Sequence, residues 1–174
     1  MSLRCLTYVA VAALPVAMAS AQSTTPSTKV SGTLQCAKPN PQYSVEVGDV
    51  AGHVFTLSKA TCTWTKPLEI AGSQSKEGTS VNREDVKGTE AETEGLHTST
   101  MANGEKIFVK YDGEATLKDG APQNVHGKWR FKGGTGSLKK IHGKGTYKGT
   151  PAADGSVTFA VEGEYDIPPE KPAK

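Results

Sequence analysis

Histidine is the residue type in this chain that is best suited to acid–base chemistry or metal binding, because its ring changes charge near neutral pH. The four histidines are His53, His97, His126 and His142. No two of them have the i, i+2 or i, i+4 spacing that would aim two imidazoles at one metal ion. His126 is in phase with Lys128 and is expected to face water, whereas His53 is in phase with Phe55 and is the best candidate for a pocket. A structural histidine is the commoner case, so none is assigned as a catalytic base.

The acidic and nucleophilic residues form no catalytic constellation either. Neither a Ser-His-Asp nor a Cys-His arrangement has a local signature in the chain. Glu90, Glu92 and Glu94 share one face of a predicted strand and could bind calcium weakly, but they lack the loop that wraps a hard cation. A solvated acidic face is the simpler interpretation. The sequence therefore predicts no catalytic residue, no metal and no cofactor.

The first 21 residues have the order of a cleavable secretory signal. Arg4 supplies a positive start, residues 5–18 are almost uninterruptedly apolar, and Ala19-Ser20-Ala21 is a small-residue cleavage site. A membrane anchor is the alternative, but the apolar run is shorter than the ~20 residues that cross a bilayer, and Pro15 interrupts it. We predict cleavage after Ala21, export to the periplasm or the extracellular space, and no membrane anchor in the mature chain.

The cysteines predict one disulfide bond. Cleavage would remove Cys5 and leave Cys36 and Cys62, and an even pair in an exported chain usually forms a bridge. Two buried free thiols are the alternative. A metal pair is less favoured, because no Cys-x-x-Cys motif or histidine cluster accompanies these residues.

The elements that would hold these side chains are predicted from a hydrophobic period of two. Over residues 107–117, 125–131 and 157–167, apolar residues and glycines alternate with polar or charged residues, as in half-buried strands. Less regular segments also read as strands, namely 29–36, 42–47, 53–65, 79–88, 91–100 and 144–148. Asn103-Gly104, Asp119-Gly120 and Asp154-Gly155 are hairpin pairs that need positive φ. No window carries a helical apolar stripe.

We therefore predict an all-β fold, a single antiparallel β-barrel of about eight strands that is closed or nearly closed, with one disulfide. Long strands joined by tight hairpins would leave vulnerable edges unless the sheet closes, and the recurrent in-strand glycines suit the bends of a closed sheet. A β-sandwich is the alternative. The barrel domain would span residues 29–167, between a flexible lead at 22–28 and a flexible tail at 168–174.

The most distinctive stretch of the chain lies at residues 129–149. Trp129-Arg-Phe-Lys-Gly-Gly-Thr-Gly136 is followed by a short turn segment, 137–143, and by Lys144-Gly-Thr-Tyr-Lys-Gly149. Over about twenty residues this resembles the allene oxide cyclase and dirigent-like barrel superfamily. The resemblance implies an eight-stranded antiparallel barrel whose cavity accepts hydrophobic or aromatic small molecules. It also implies kinship with exported bacterial proteins of unassigned reaction, and no catalytic residue of the superfamily is carried over.

Aromatic side chains on the apolar strand faces are the candidate ligand contacts, together with one histidine. The candidate ligand-binding residues of the barrel interior are His53, Phe55, Tyr111, Trp129, Phe131, Phe159 and Tyr165. The same residues would equally fill a solid core, so the sequence leaves open whether the barrel is hollow. The leading hypothesis is an exported barrel that holds a small hydrophobic or aromatic ligand, and the first alternative is a cyclase or isomerase of the allene oxide cyclase type.

Charge suggests a third hypothesis, a surface module for anionic polymers. The chain carries 20 basic and 18 acidic residues, so its small net charge does not predict a partner. Between Asp119 and Asp154, however, there are seven Lys or Arg residues and no carboxylate. Alternation puts these cations on the solvated outer face, where they also discourage edge pairing, and this is the favoured interpretation. No nucleic-acid partner is expected, and the sequence indicates no oligomeric state.

Overall fold

The computed structural model describes residues 27–169, and strands make up most of them. The strands are β1 (Thr28–Cys36), β2 (Gln42–Glu46), β3 (Val54–Lys66), β4 (Glu69–Ile70), β5 (Ser73–Lys87), β6 (Glu90–Met101), β7 (Lys106–Lys118), β8 (Ala121–Gly134), β9 (His142–Pro151) and β10 (Val157–Asp166). One turn of 3-10 helix at Gly136–Leu138 lies between β8 and β9. The predicted signal peptide lies outside the described residues, as do residues 22–26 of the predicted lead and 170–174 of the predicted tail.

Eight of these strands form a closed antiparallel barrel, which confirms the predicted fold class. Their order around the barrel is β3-β1-β10-β9-β8-β7-β6-β5, and a ladder of ten residue pairs between β3 and β5 closes the ring. Closure gives every barrel strand a neighbour on both sides, which removes the open edges of a flat sheet. The two short strands lie outside the ring, because β2 pairs with the first part of β3 and β4 with the start of β5.

The tight turns follow the predicted chemistry. Gly104, Gly120 and Gly155 have φ values of 84°, 77° and 84°, and Asp119 has a φ of 53°. These are left-handed conformations that glycine adopts freely and that aspartate tolerates better than most residues. The predicted hairpins between β6 and β7, β7 and β8, and β9 and β10 are therefore confirmed.

Several strands extend further than predicted, among them β8 and β9, and the longest single extension precedes β5. β5 begins at Ser73 rather than at residue 79, and the two-residue strand β4 precedes it through a turn at Ala71-Gly72. The stretch Ser73–Gly78 is polar on both faces, so it carries no alternation from which a strand could be predicted.

Ala71 offers a test of this turn, because it has a left-handed φ of 50° despite its Cβ. The left-handed conformation costs such a residue about 1–2 kcal/mol, whereas glycine adopts it freely at a cost of about 0.5–1 kcal/mol in unfolded-state entropy. We expect Ala71→Gly to raise the free energy of unfolding, measured in urea, by up to about 1 kcal/mol. Ala102→Gly is the matched control, because Ala102 is an exposed turn residue without positive φ. A loss of stability in both variants would contradict the prediction.

The two ends of the barrel differ. One end is filled by large apolar side chains that are at most 1% exposed, namely Ile70, Met101, Ile107, Leu138 and Ile141. At the other end, where the turns at residues 47–53, 88–89, 119–120 and 152–155 lie, inward residues such as Ala115 and Val125 are only half-buried. The interior is therefore plugged at one end and accessible at the other.

The predicted disulfide is confirmed. Cys36 on β1 and Cys62 on β3 are direct cross-strand partners, and their sulfurs are bonded at 2.04 Å. Cys62 is 1% exposed, so the bridge lies within the barrel wall.

Candidate functional site

A cavity of about 170 Å³ lies inside the barrel, so the barrel is hollow rather than solid. All eight barrel strands contribute side chains to its lining, and its rim includes Ala37, Pro39 and Gly155 from the turns at the accessible end. An apolar cavity of about 150 Å³ is large enough to hold benzene. The space inside this barrel therefore fits one aromatic ring with a small substituent.

One side of the cavity is an apolar wall built from strands β7 to β10. Tyr111, Tyr147 and Phe159 form a row in which the ring centroids are 6.1 Å and 5.7 Å apart and the ring planes are close to perpendicular. Trp129 and Phe131 form a second edge-to-face pair, with centroids 5.0 Å apart. Such contacts fix the rings in place, so the wall is shaped before any ligand arrives.

In-strand glycines make room for these rings. Tyr111 lies against Gly95 of the neighbouring strand, and Tyr147 lies across Gly113 and Gly127. A Cβ atom at any of the three glycines would overlap the phenol group of the tyrosine concerned. We expected in-strand glycines to serve the bends of a closed sheet; at these positions they let a tyrosine lie flat on the wall.

The opposite side of the cavity is polar and comes from β3, β5 and β6. The indole N–H of Trp64 donates to Ser99 Oγ at 2.8 Å, and the Nε2 atom of His97 is 2.7 Å from the same oxygen. The Nδ1 atom of His97 is 2.8 Å from Ser80 Oγ. A neutral imidazole with one N–H donor and one acceptor nitrogen satisfies this chain. Burial lowers the pKa of His97 to about 4, so the ring is neutral at pH 7.

Glu84 is the carboxylate that faces the cavity from β5, two residues nearer the accessible end than Asn82. Asn82 accepts a hydrogen bond from Ser58 Oγ at 3.3 Å, and its Nδ2 donates to Glu84 Oε1 at 3.0 Å. Burial raises the pKa of Glu84, and the hydrogen bond from Asn82 opposes that effect. The carboxylate is thus held in position and incompletely solvated.

The two cavity tyrosines keep their protons at neutral pH. Burial raises the pKa of Tyr111 to about 12, the hydrogen bond with Ser80 opposes the rise, and the negative charge of Glu84 adds to it. Burial also raises the pKa of Tyr147, with smaller contributions from Tyr111 and Asp112. Both phenols are therefore available as neutral hydrogen-bonding groups beside the aromatic wall.

The structure brings four of the seven predicted ligand contacts together. Tyr111, Trp129, Phe131 and Phe159 all line the cavity. Tyr165 lies near the plugged end, where it packs against the core and its hydroxyl accepts the N–H of Ala71 at 3.0 Å. It is not among the residues that line the cavity.

The predicted interior positions of His53 and Phe55 are wrong. The inward residues of β3 are small or polar in this region, Thr56 and Ser58, so Phe55 faces outward and is 39% exposed. His53 lies on the same outer side, buried against the Phe55 ring. Its Nδ1 is 2.5 Å from Asp49 Oδ1 and its Nε2 is 2.9 Å from Asp85 Oδ1. An imidazole with carboxylates at both nitrogens ties the β2–β3 turn to β5 instead of serving a pocket.

Sequence reasoning missed the polar residues of the cavity. Ser80, Asn82, Glu84 and His97 all face inward, while the apolar residues next to them in the sequence, such as Leu96, are exposed on the outside. An apolar outer face reverses the usual inference from alternation. Tyr147 could have been found, because it lies in the Gly-Thr-Tyr segment that carries the family resemblance.

The outer surface around the basic stretch carries both charges. Lys144 of β9 is paired across the ladder with Glu164 of β10, and Lys128 and Glu162 line the same surface groove. Among residues 27–169, no group of three or more His, Cys, Asp or Glu side chains is placed to hold a metal ion. The described part of the chain also has no helix that is long and apolar enough to span a membrane.

Several solved structures are similar to this chain, whereas no protein-family model and no curated protein matches it. A protein of unknown function from Clostridium acetobutylicum has a TM-score of 0.51 and 8% identity, over 80% of this chain and 99% of its own. A protein of unknown function of the DUF3224 family from Shewanella oneidensis has a TM-score of 0.49 and 17% identity, over 83% and 100%. A pterocarpan synthase dirigent protein has a TM-score of 0.45 and 12% identity, over 84% and 88%. The likeness to the Clostridium protein concerns the fold alone.

Proposed function

We propose that this protein is an exported binding protein that holds a small, largely apolar molecule with a single aromatic ring inside its barrel. The cavity of about 170 Å³ is the observation that carries the proposal, because its volume matches one substituted ring. Its aromatic wall supplies apolar contact area, and the polar wall from β3, β5 and β6 orients a substituent.

Export is part of the proposal. The bond between Cys36 and Cys62 supports it, because disulfides persist mainly in oxidising compartments such as the periplasm and the extracellular space. The signal-like order of residues 1–21 supports it independently.

The expected affinity is modest. A single ring buries roughly 150 Å² of apolar surface, and at about 25 cal/mol per Å² this contributes about 4 kcal/mol, which corresponds to a millimolar dissociation constant. Hydrogen bonds to groups such as Asn82 or Tyr111 would strengthen binding where the substituent matches them.

Tryptophan fluorescence gives a direct test, because Trp64 and Trp129 are the two tryptophans of the chain and both line the cavity. We expect titration with benzyl alcohol to change the emission saturably. Val125 lines the cavity at the accessible end of the barrel. Val125→Phe should therefore weaken this binding at least about tenfold, because the larger side chain takes up space that the ligand needs.

Phe55→Ala is the matched control, because Phe55 lies outside the barrel and its loss should leave binding unchanged. Thermal melts show whether each variant is folded. An emission that does not saturate, or equal binding by folded Val125→Phe and wild type, would overturn the proposal.

A cyclase or isomerase is the second candidate function. It is favoured by the carboxyl group of Glu84, which faces an otherwise largely apolar cavity with a raised pKa and could exchange a proton with a bound substrate. Mass spectrometry of the ligand that co-purifies with the protein from its source separates the two candidates. A ligand that returns unchanged after incubation supports a carrier, and conversion to an isomer supports an enzyme.

A further inference from the structure

We infer that the preferred ligand of the barrel cavity is a small aromatic amine, whose ammonium group is bound by the Glu84 carboxylate beside the Tyr111 ring. This inference rests on the proposed binding function and adds the charge of the ligand to it. Three features of the cavity carry it: an incompletely paired carboxylate, a lining without cationic side chains, and aromatic rings around the acid.

The Glu84 carboxylate has one protein partner among the side-chain contacts of the described residues. Asn82 Nδ2 donates to Oε1, and none of the ion pairs within residues 27–169 involves Glu84. A carboxylate can accept about four hydrogen bonds, so most of its capacity is directed elsewhere. An ammonium group carries three donors and the opposite charge, which makes it the natural complement.

The cavity lining contains no Lys or Arg residue. The histidine of the lining, His97, is neutral at pH 7, and the side chain of Glu114, which alternates with the inward Gly113 and Ala115, is exposed on the outer face. The electrostatic potential inside the barrel is therefore set mainly by the Glu84 carboxylate, which attracts a cation and repels an anionic ligand.

Two aromatic rings lie on the side of the cavity that Glu84 faces. Tyr111 is close enough to Glu84 for the charge of the acid to raise the pKa of the phenol, and Tyr147 packs edge-to-face on Tyr111. The negative face of an aromatic ring attracts a cation, most strongly where water is excluded. Glu84 and these rings would thus bind the same ammonium group together.

The volume of the cavity limits the body of the amine. One ring with an aminomethyl substituent fills a space of about 170 Å³, with the ring against Phe159 and Val161 and the substituent toward β5. Benzylamine, which is cationic at neutral pH, is therefore the probe, with neutral benzyl alcohol and anionic benzoate as close analogues of different charge.

The experiment is a tryptophan-fluorescence titration of the wild-type protein with the three probes at neutral pH. We expect benzylamine to bind at least about tenfold more tightly than benzyl alcohol, and benzoate to bind most weakly. Glu84→Gln should remove the preference for the amine, so that this variant binds benzylamine no more tightly than benzyl alcohol, and a thermal melt shows that the variant is folded.

Glu94→Gln is the matched control. Glu94 lies on β6 with its side chain outside the barrel, 3.7 Å from Lys110, so its loss should leave all three affinities unchanged. Equal binding of amine and alcohol by the wild type, or an amine preference that survives Glu84→Gln, overturns the inference while the binding function stands. Failure of all three probes to bind overturns the binding function itself.

Discussion

Lowering the pH from 6.5 to 4 should cost the wild-type protein about 3 kcal/mol more of its free energy of unfolding than it costs the His97→Gln variant. His97 is 6% exposed, and burial lowers its pKa from 6.5 to about 4. Below pH 6.5 the unfolded chain binds a proton at this ring, whereas the folded chain stays neutral until about pH 4. Proton binding therefore stabilises the unfolded state over this interval and lowers the free energy of unfolding. This decrease is complete once the pH falls below the pKa of the folded protein.

Urea denaturation at a series of pH values gives the free energy of unfolding of each protein as a function of pH. The effect is the difference between the two proteins in the slope of that free energy against pH. The comparison between variants cancels the titration of surface carboxylates, which both proteins share. His126→Gln is the control, because His126 is exposed as the sequence predicts, and this variant should follow the wild type. Parallel curves for wild type and His97→Gln would show that the ring is not held neutral in the folded barrel.

Reduction of the Cys36–Cys62 disulfide is expected to lower the free energy of unfolding by about 3 kcal/mol. The bond closes a loop between residues 26 apart in sequence, which restricts the unfolded chain. It also joins β1 to β3 directly, and the β1–β3 ladder is short, with four paired positions against ten between β3 and β5. The pairing of β1 with β3 therefore depends on the disulfide more than the longer strand pairings of the barrel depend on any single bond.

Equilibrium unfolding with and without a reductant measures this contribution. The Cys36→Ala/Cys62→Ala double variant should resemble the reduced protein and should not respond to the reductant. Equal stability of the oxidised and reduced proteins would mean that strand pairing alone keeps β1 joined to β3. Tryptophan fluorescence with benzyl alcohol can be repeated on the reduced protein, because Cys36 belongs to the cavity lining.

Alternation predicted the strands well where one face is apolar and that face is inside. β7, β8 and β10 follow this rule, and their inward residues Val109, Trp129 and Phe159 line the cavity as expected. In the first half of β3 and the middle of β6, by contrast, large apolar side chains lie on the outer face, with Leu57 54% exposed and Leu96 58% exposed. A period of two shows which residues share a face, but it does not show which face is inside.

The candidate site was only partly predictable for the same reason. Glu84 belongs to a strand whose two faces are both largely polar, so its neighbours in sequence give no orientation. The packing of Tyr111 against Gly95 depends on the register between β6 and β7, and the sequence of a single strand does not show that register. The resemblance of residues 129–149 predicted a barrel, and the apolar strand faces predicted its inward aromatic residues, but neither predicted the acid that faces them.

The amino-acid sequence by itself determined most of the strand segments, three hairpin turns, the disulfide partners and the all-β barrel class, because each depends on local period, on turn residues that accept positive φ, or on a cysteine count. Only the tertiary structure decided that the barrel is hollow, that Glu84 and His97 face its interior, and that His53 and Phe55 do not. These features arise from cross-strand register and from closure of β3 on β5, which pairs residues that are 14 (Thr63 and Glu77) to 32 (Val54 and Val86) positions apart in sequence.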